Sequence, residues 1–171
     1  MQLKTIFKLL GMLLMTFSLS MLTPLVVYAI YKDGHWQSYV YSFALTLSCG
    51  FTFWYPARHC RYELKTRDGF LIVSLFWVVI CLFASIPFML ALPHTNGLTD
   101  PLFESISGFT TTGATIISKL DTLPHDLLFY RQQLQFLGGM GIIVLAVAIL
   151  PVLGVGGMQL YKAETPGPMK D

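Results

Sequence analysis

Long apolar stretches separated by short polar ones organise this chain of 171 residues. Residues 9–31 form the first stretch. At about 1.5 Å of rise per residue, a helix of that length crosses a hydrocarbon core of about 30 Å. Lys4 and Lys8 precede it. A signal peptide also starts with a basic patch, but this run exceeds the usual signal-peptide core and lacks a small-residue cleavage site, so a retained anchor is expected. Pro24 predicts a kink, or a place where a neighbouring helix supplies the missing bond. Residues 32–37 are a tight polar connection containing Asp33 and Gly34. Residues 39–55 are a shorter span rich in Ser and Thr. It closes at Pro56, with Trp54 and Tyr55 placed as interfacial aromatics. Residues 69–92 and 129–155 complete the set of long apolar segments.

Composition sharpens this pattern into a class. The chain is 54% hydrophobic and 12% charged, with a mean hydropathy of +0.63. That is too apolar for a soluble domain of this length, and the class is an all-α integral membrane protein. The net charge of +2 carries little information, but its distribution does. With the N-terminus inside, the inner segments hold Lys4, Lys8, Arg58, Arg61, Lys65, Arg67, Lys162 and Lys170. The outer ones hold only Lys32, Lys119 and Arg131. The positive-inside rule then puts both ends of the chain in the cytoplasm and reads the basic segment 57–68 as an orienting loop rather than a nucleic-acid patch. Cys49, Cys60 and Cys81 have no paired spacing and are expected as free thiols. His59 beside Cys60 offers too few ligands for a metal. His35, His59, His94 and His125 are scattered, and no catalytic constellation is visible, so an enzyme is not expected.

The stretch 100–115, DPLFESISGFTTTGAT, breaks the pattern. Asp100 is read as a helix cap and Pro101 as the first helical residue. The helix, 101–109, rises only roughly 14 Å, too little to span. Three readings compete: an external loop with an amphipathic helix, the start of another full span, and a re-entrant pore loop. Asp100, Glu104 and the glycines interrupt any full span. A half-length helix followed by Thr-Thr-Thr-Gly fits a pore helix and selectivity filter, in which backbone carbonyls replace the water shell of a cation. Gly113 has no side chain to obstruct the path. Asp100 and Glu104 supply electrostatics: a carboxylate near the start of the short helix favours its positive end, or draws cations to the mouth. Arg131 is a partner for Glu104 or Asp126, or snorkels to the interface. Asp121 and Asp126 read as solvated loop residues. Gly138, Gly139 and Gly141 allow close helix packing.

These residues carry a resemblance. Segments 103–115, 128–132 and 138–151 (GGMGIIVLAVAILP), with 65–73 (KTRDGFLIV) and 154–161 (GVGGMQLY), closely resemble the membrane subunit of bacterial Trk-type potassium-uptake systems. That family belongs to a superfamily with the Ktr and plant HKT transporters. The resemblance covers essentially the whole chain. It implies non-identical repeats, each span–pore helix–filter–span, around one pore, after an extra pair of N-terminal spans. Here residues 1–68 would be the extra hairpin with its basic loop. Residues 69–155 would be the first repeat (span 69–92, pore helix 101–109, filter 110–114, span 129–155), and 156–171 a cytoplasmic tail. The filter would comprise Thr110, Thr111, Thr112 and Gly113, with K⁺ held by the carbonyls of Thr111, Thr112 and Gly113.

The resemblance further implies potassium uptake across the bacterial inner membrane with no organic cofactor. It also implies the lipid bilayer as surroundings, a homodimer, and a cytoplasmic nucleotide-binding regulatory subunit as partner. The chain departs from the family in length, since it holds one repeat where the family has four. The alternative expectation is a truncated, non-conducting membrane protein with a structural or regulatory role.

Overall fold

The computed structural model describes residues 3–58, 66–92, 97–118 and 120–152, the side chains of 3, 66–68, 70 and 145–152 excepted. It is helical, with no strand among the described residues. The helices are α1 (Leu3–Ser20), α2 (Thr23–Tyr31), α3 (Trp36–Trp54), α4 (Thr66–Ala91), α5 (Thr99–Phe109) and α6 (His125–Val152). Short 3₁₀ turns cover Tyr55–Ala57 and Leu120–Thr122. Among the described residues, two segments are long and apolar enough to cross a membrane, Lys4–Tyr31 and Leu71–Ala91. His59, Cys60, Arg61, Lys65, His94, Lys119 and the tail from 153 onward lie outside the described residues.

The first apolar stretch is two helices rather than one. Pro24 sits in the first turn of α2, where its missing N–H costs nothing. The break at Met21–Leu22 exposes backbone groups, and α6 satisfies them. Gln133 Nε2 donates to the Ser20 carbonyl at 2.8 Å. The Thr23 hydroxyl lies 2.8 Å from both the Ser20 carbonyl and Gln133 Oε1. The neighbour that compensates for Pro24 is therefore Gln133.

α1 lies against α3, and the two backbones touch where both lack side chains. A Cβ added to Gly11 would sit 2.6 Å from the Gly50 carbonyl oxygen and 2.7 Å from the Trp54 amide nitrogen. One added to Gly50 would meet the Gly11 carbonyl at 3.0 Å. Small residues permit such approach between membrane helices. The interface also buries hydroxyls. Ser18, Ser42 and Thr46 are shielded from solvent, and the two serines bond back onto their own helices, Ser42 to the Ser38 carbonyl and Ser18 to that of Met15.

α5 is wedged between α4 and α6. Its last residue, Phe109, is buried at the centre of the apolar core with Phe17, Ile80, Ala84, Phe88, Tyr130 and Leu134. Trp77 packs edge-on to the Phe109 ring with centroids 4.8 Å apart. Tyr130 reaches across to donate to the Ala84 carbonyl at 3.0 Å, one turn before Pro87 interrupts the bond ladder of α4. Val26, Ile30, Val78, Leu82, Phe136, Ile143 and Val144 point outward and are exposed. An apolar exterior around a core containing Ser, Thr, Glu and Arg suits surroundings of lipid or further protein.

Candidate functional site

α5 starts at Thr99, two residues earlier than expected, with Leu98 at the cap position and no side-chain cap bond. Asp100 therefore lies inside the first turn and is not the cap. Pro101 is buried in that turn and not at the first position. The helix stops at Phe109, and the backbone then takes an unusual course. Thr110 has φ −81°, Thr111 has φ +60° and Gly113 has φ +74°. A β-branched residue at positive φ is a true outlier. Its position in the Thr-Thr-Thr-Gly run marks a constrained segment of the kind found at functional sites.

Hydrogen bonds from this run converge on the end of α5. Thr110 N–H donates to the Ile106 carbonyl at 2.8 Å and Thr111 N–H to that of Gly108 at 3.0 Å. The amides of Thr112 and Gly113 both point at the Ser107 carbonyl oxygen, at 3.0 and 3.3 Å. No described peptide is cis. In a planar trans peptide the carbonyl points opposite to the next residue's N–H. The carbonyls of Thr110, Thr111 and Thr112 therefore all turn away from the end of α5. Residues 110–116 are exposed. The Ser107 hydroxyl pins the far end of the turn by donating to the Ala114 carbonyl at 2.6 Å.

The hydroxyls of Thr110 and Thr112 are occupied in holding this shape. Thr110 Oγ1 donates to the Ile106 carbonyl at 2.8 Å. Its single proton is then spent, so the 2.8 Å contact between Thr110 and Thr112 hydroxyls has Thr112 donating. Their oxygens keep lone pairs, but the groups that face outward in series are carbonyls.

Beyond Gly113 the chain is held by Glu104. This residue is 2% exposed and sits in the middle of α5, not at its positive end. Its Oε1 accepts from the Thr115 hydroxyl at 2.5 Å and from Ile116 N–H at 2.9 Å. Its Oε2 accepts from Arg131 Nε at 2.9 Å. Of the partners the sequence offered Arg131, Glu104 is the one taken. Ser105 anchors the other side of α5 by donating to the Cys81 carbonyl of α4 at 2.8 Å.

A second polar cluster was not legible beforehand. Asp33 Oδ2 accepts from His125 N–H at 3.2 Å and contacts His125 Nδ1 at 2.5 Å. The His125 ring stacks on Tyr31 with centroids 4.1 Å apart. In return Asp126 Oδ2 accepts from His35 N–H at 3.1 Å, and a Cβ at Gly34 would overlap the Asp126 carboxylate. Asp126 is buried, 1% exposed, which corrects its reading as a solvated loop residue. Asp121 is exposed as expected. Cys49 and Cys81 are free thiols. Among the described residues no cluster of acidic, His and Cys side chains could hold a metal ion.

The chain is similar to known proteins over most of its length. Residues 35–171 match the family model described as TrkH, cation transport protein. The chain is 56% identical over 171 residues to the Trk system potassium uptake protein TrkH of Halomonas elongata, covering all of this chain and 36% of that protein. Against TrkH of Escherichia coli K12 the identity is 52%, covering all of this chain and 35% of the relative. The crystal structure of the potassium transporter TrkH from Vibrio parahaemolyticus superposes with a TM-score of 0.85 at 52% identity, over 97% of this chain and 34% of that one. The chain thus spans about a third of the length of these relatives. It belongs to the TrkH family of cation transport proteins.

Proposed function

We propose that this chain provides one quarter of a potassium-conducting pore, together with an N-terminal helical hairpin, in a bacterial inner-membrane uptake transporter. Residues 1–68 form the hairpin and its basic cytoplasmic loop. Residues 69–155 are a span–pore helix–filter–span repeat, and 156–171 run on into the cytoplasm. α5 enters from the outer face, and both ends of the chain lie inside.

The observation that carries this reading is the pair of amides, Thr112 and Gly113, aimed at one carbonyl of the pore helix, Ser107. That bonding turns successive carbonyls in the opposite direction, where they replace water around a dehydrating cation. Gly113 completes the set with Thr110, Thr111 and Thr112. Glu104 braces the loop, and Asp100 adds negative charge near the start of α5. No covalent chemistry is involved and no organic cofactor is required; K⁺ is the cargo. Its entry is driven by the membrane potential, roughly 2.3 kcal/mol per charge per 100 mV. The relatives' names as potassium uptake proteins support the choice of ion. The remaining repeats, a second copy of the complete subunit and a cytoplasmic nucleotide-binding regulatory subunit are the partners.

The test is a chimera in which this chain replaces the corresponding third of the Vibrio parahaemolyticus transporter. Radioactive rubidium uptake into proteoliposomes is measured in competition with K⁺ and with Na⁺. The chimera is expected to take up rubidium with K⁺ competing better than Na⁺, and Gly113→Ser is expected to weaken that preference. An unchanged preference in Gly113→Ser removes this segment from the filter.

A further inference from the structure

Phe109 ends the pore helix, and its carbonyl is one of the last that the helix itself leaves without a partner. That carbonyl points into α6 at a place where α6 has no side chain. A Cβ built on Gly138 would overlap the Phe109 carbonyl oxygen and lie 2.7 Å from its carbonyl carbon. One turn earlier on α6, Leu134 is fully buried, and its Cβ lies 3.3 Å from where a Gly108 side chain would begin. Gly139, next along, faces the Thr111 methyl at 3.8 Å. The end of α5 therefore rests on a two-point seat, a bulky side chain at 134 and a bare backbone at 138.

The obstructing atoms at Gly138 are backbone, with no rotamer to relieve an overlap. They belong to the residue that leads directly into Thr110. Displacing Phe109 shifts the peptide from which the carbonyls of Thr110 to Thr112 take their direction. This differs from the Gly11–Gly50 crossing, where the touching backbones are those of α1 and α3, remote from 110–113 in the chain.

We infer that Gly138 and Leu134 are positioning residues for ion selection: they set the depth at which the pore helix delivers Thr110–Gly113, and hence the ring that the carbonyls close. The inference rests on the filter reading above. It adds that selectivity is fixed from α6 as well as within the filter sequence.

The experiment uses the same chimera and reads the K⁺ over Na⁺ preference, a ratio that does not depend on how much protein is inserted. Gly138→Ala raises the seat, and it is expected to lower the preference roughly tenfold, equivalent to about 1.4 kcal/mol of discrimination. Leu134→Ala hollows the seat without a backbone overlap, and is expected to lower it in the same direction. Gly50→Ala, a packing defect away from the filter, is expected to lower the yield of folded protein and leave the ratio alone. If Gly113→Ser changes the ratio while Gly138→Ala and Leu134→Ala do not, the seat plays no part in selection and this inference is overturned, with the filter reading intact. Where Gly138→Ala gives no inserted protein, Leu134→Ala alone decides in the same way. A ratio indifferent to Gly113→Ser as well overturns both.

Discussion

Glu104 and Arg131 form an ion pair at 2.9 Å in which the two side chains are only 1% and 9% exposed. The pair joins the middle of α5 to α6, and the other oxygen of Glu104 holds Thr115 and Ile116. Removing one partner leaves the other charge buried and uncompensated, which costs about 3–5 kcal/mol. Arg131→Leu is expected to destabilise by that order, and Glu104→Leu/Arg131→Leu by less than the single change. Thermal unfolding in detergent micelles measures both. A double-variant loss equal to the sum of the separate Glu104→Leu and Arg131→Leu losses would show that the charges are not coupled.

Thr111 and Gly113 share positive φ but pay differently for it. A side chain in this region costs about 1–2 kcal/mol. Thr111→Gly is accordingly expected to raise thermal stability by about 1 kcal/mol, although it deletes a hydroxyl and a methyl. Gly113→Ala is expected to lower stability by a similar amount. Room is available at Gly113, where a Cβ meets only Gln135 Nε2 at 3.7 Å, so the cost there is conformational. A destabilised Thr111→Gly would mean that the threonine side chain contributes more than its backbone strain costs.

The Asp33–His125 contact gives a pH dependence of defined sign. The hydrogen bond from His125 holds the Asp33 carboxyl below its ordinary value of 3.8. A depressed carboxylate contributes stability that is fully present above the unfolded value and is lost as pH falls through the folded one. Asp33→Asn should therefore be less stable than the parent at neutral pH. The two melting curves should converge only once the pH drops below 3.8 into the range of the depressed group. Convergence already in mildly acidic solution would argue against this contact in the folded protein.

Gln133 fills the break between α1 and α2. Replacing it with Leu leaves the Ser20 carbonyl without its side-chain donor and Thr23 without one of its two contacts. An unmet buried polar group costs about 1–3 kcal/mol, and Gln133→Leu is expected to fall in that range. Amide hydrogen exchange around 20–25 should quicken with it. Unaltered exchange there would assign the break to Pro24 alone.

Much of the bundle was readable from local signals. The half-length helix and the long helical segments follow from periodicity and length, although the first apolar stretch divides at Met21–Leu22 and α1 begins at Leu3, well ahead of the expected start at residue 9. Thr99 precedes the expected start of α5 because Leu98 enters the helix without a side-chain cap, a geometry with no residue signature. The pairings of Glu104 with Ile116 and of Gly138 with Phe109 were not specified, only that a charge and some glycines lay nearby. Asp33, Asp126 and Gln133 were missed or misread for a common reason. Each finds its partner about a hundred residues away, where no spacing rule reaches. The positive φ of Thr111 was hidden because threonine is the wrong residue from which to expect it.

The reciprocal contacts of Asp33 with His125 and of Asp126 with His35 join positions 92 and 91 residues apart. A ribosome making about 5–20 residues per second takes on the order of five to twenty seconds to produce that interval. The loop after α2 therefore waits, already made, until α6 emerges. Only the last described helix can close the first connection, so the bundle is completed as a ring rather than by adding each helix to the one before it.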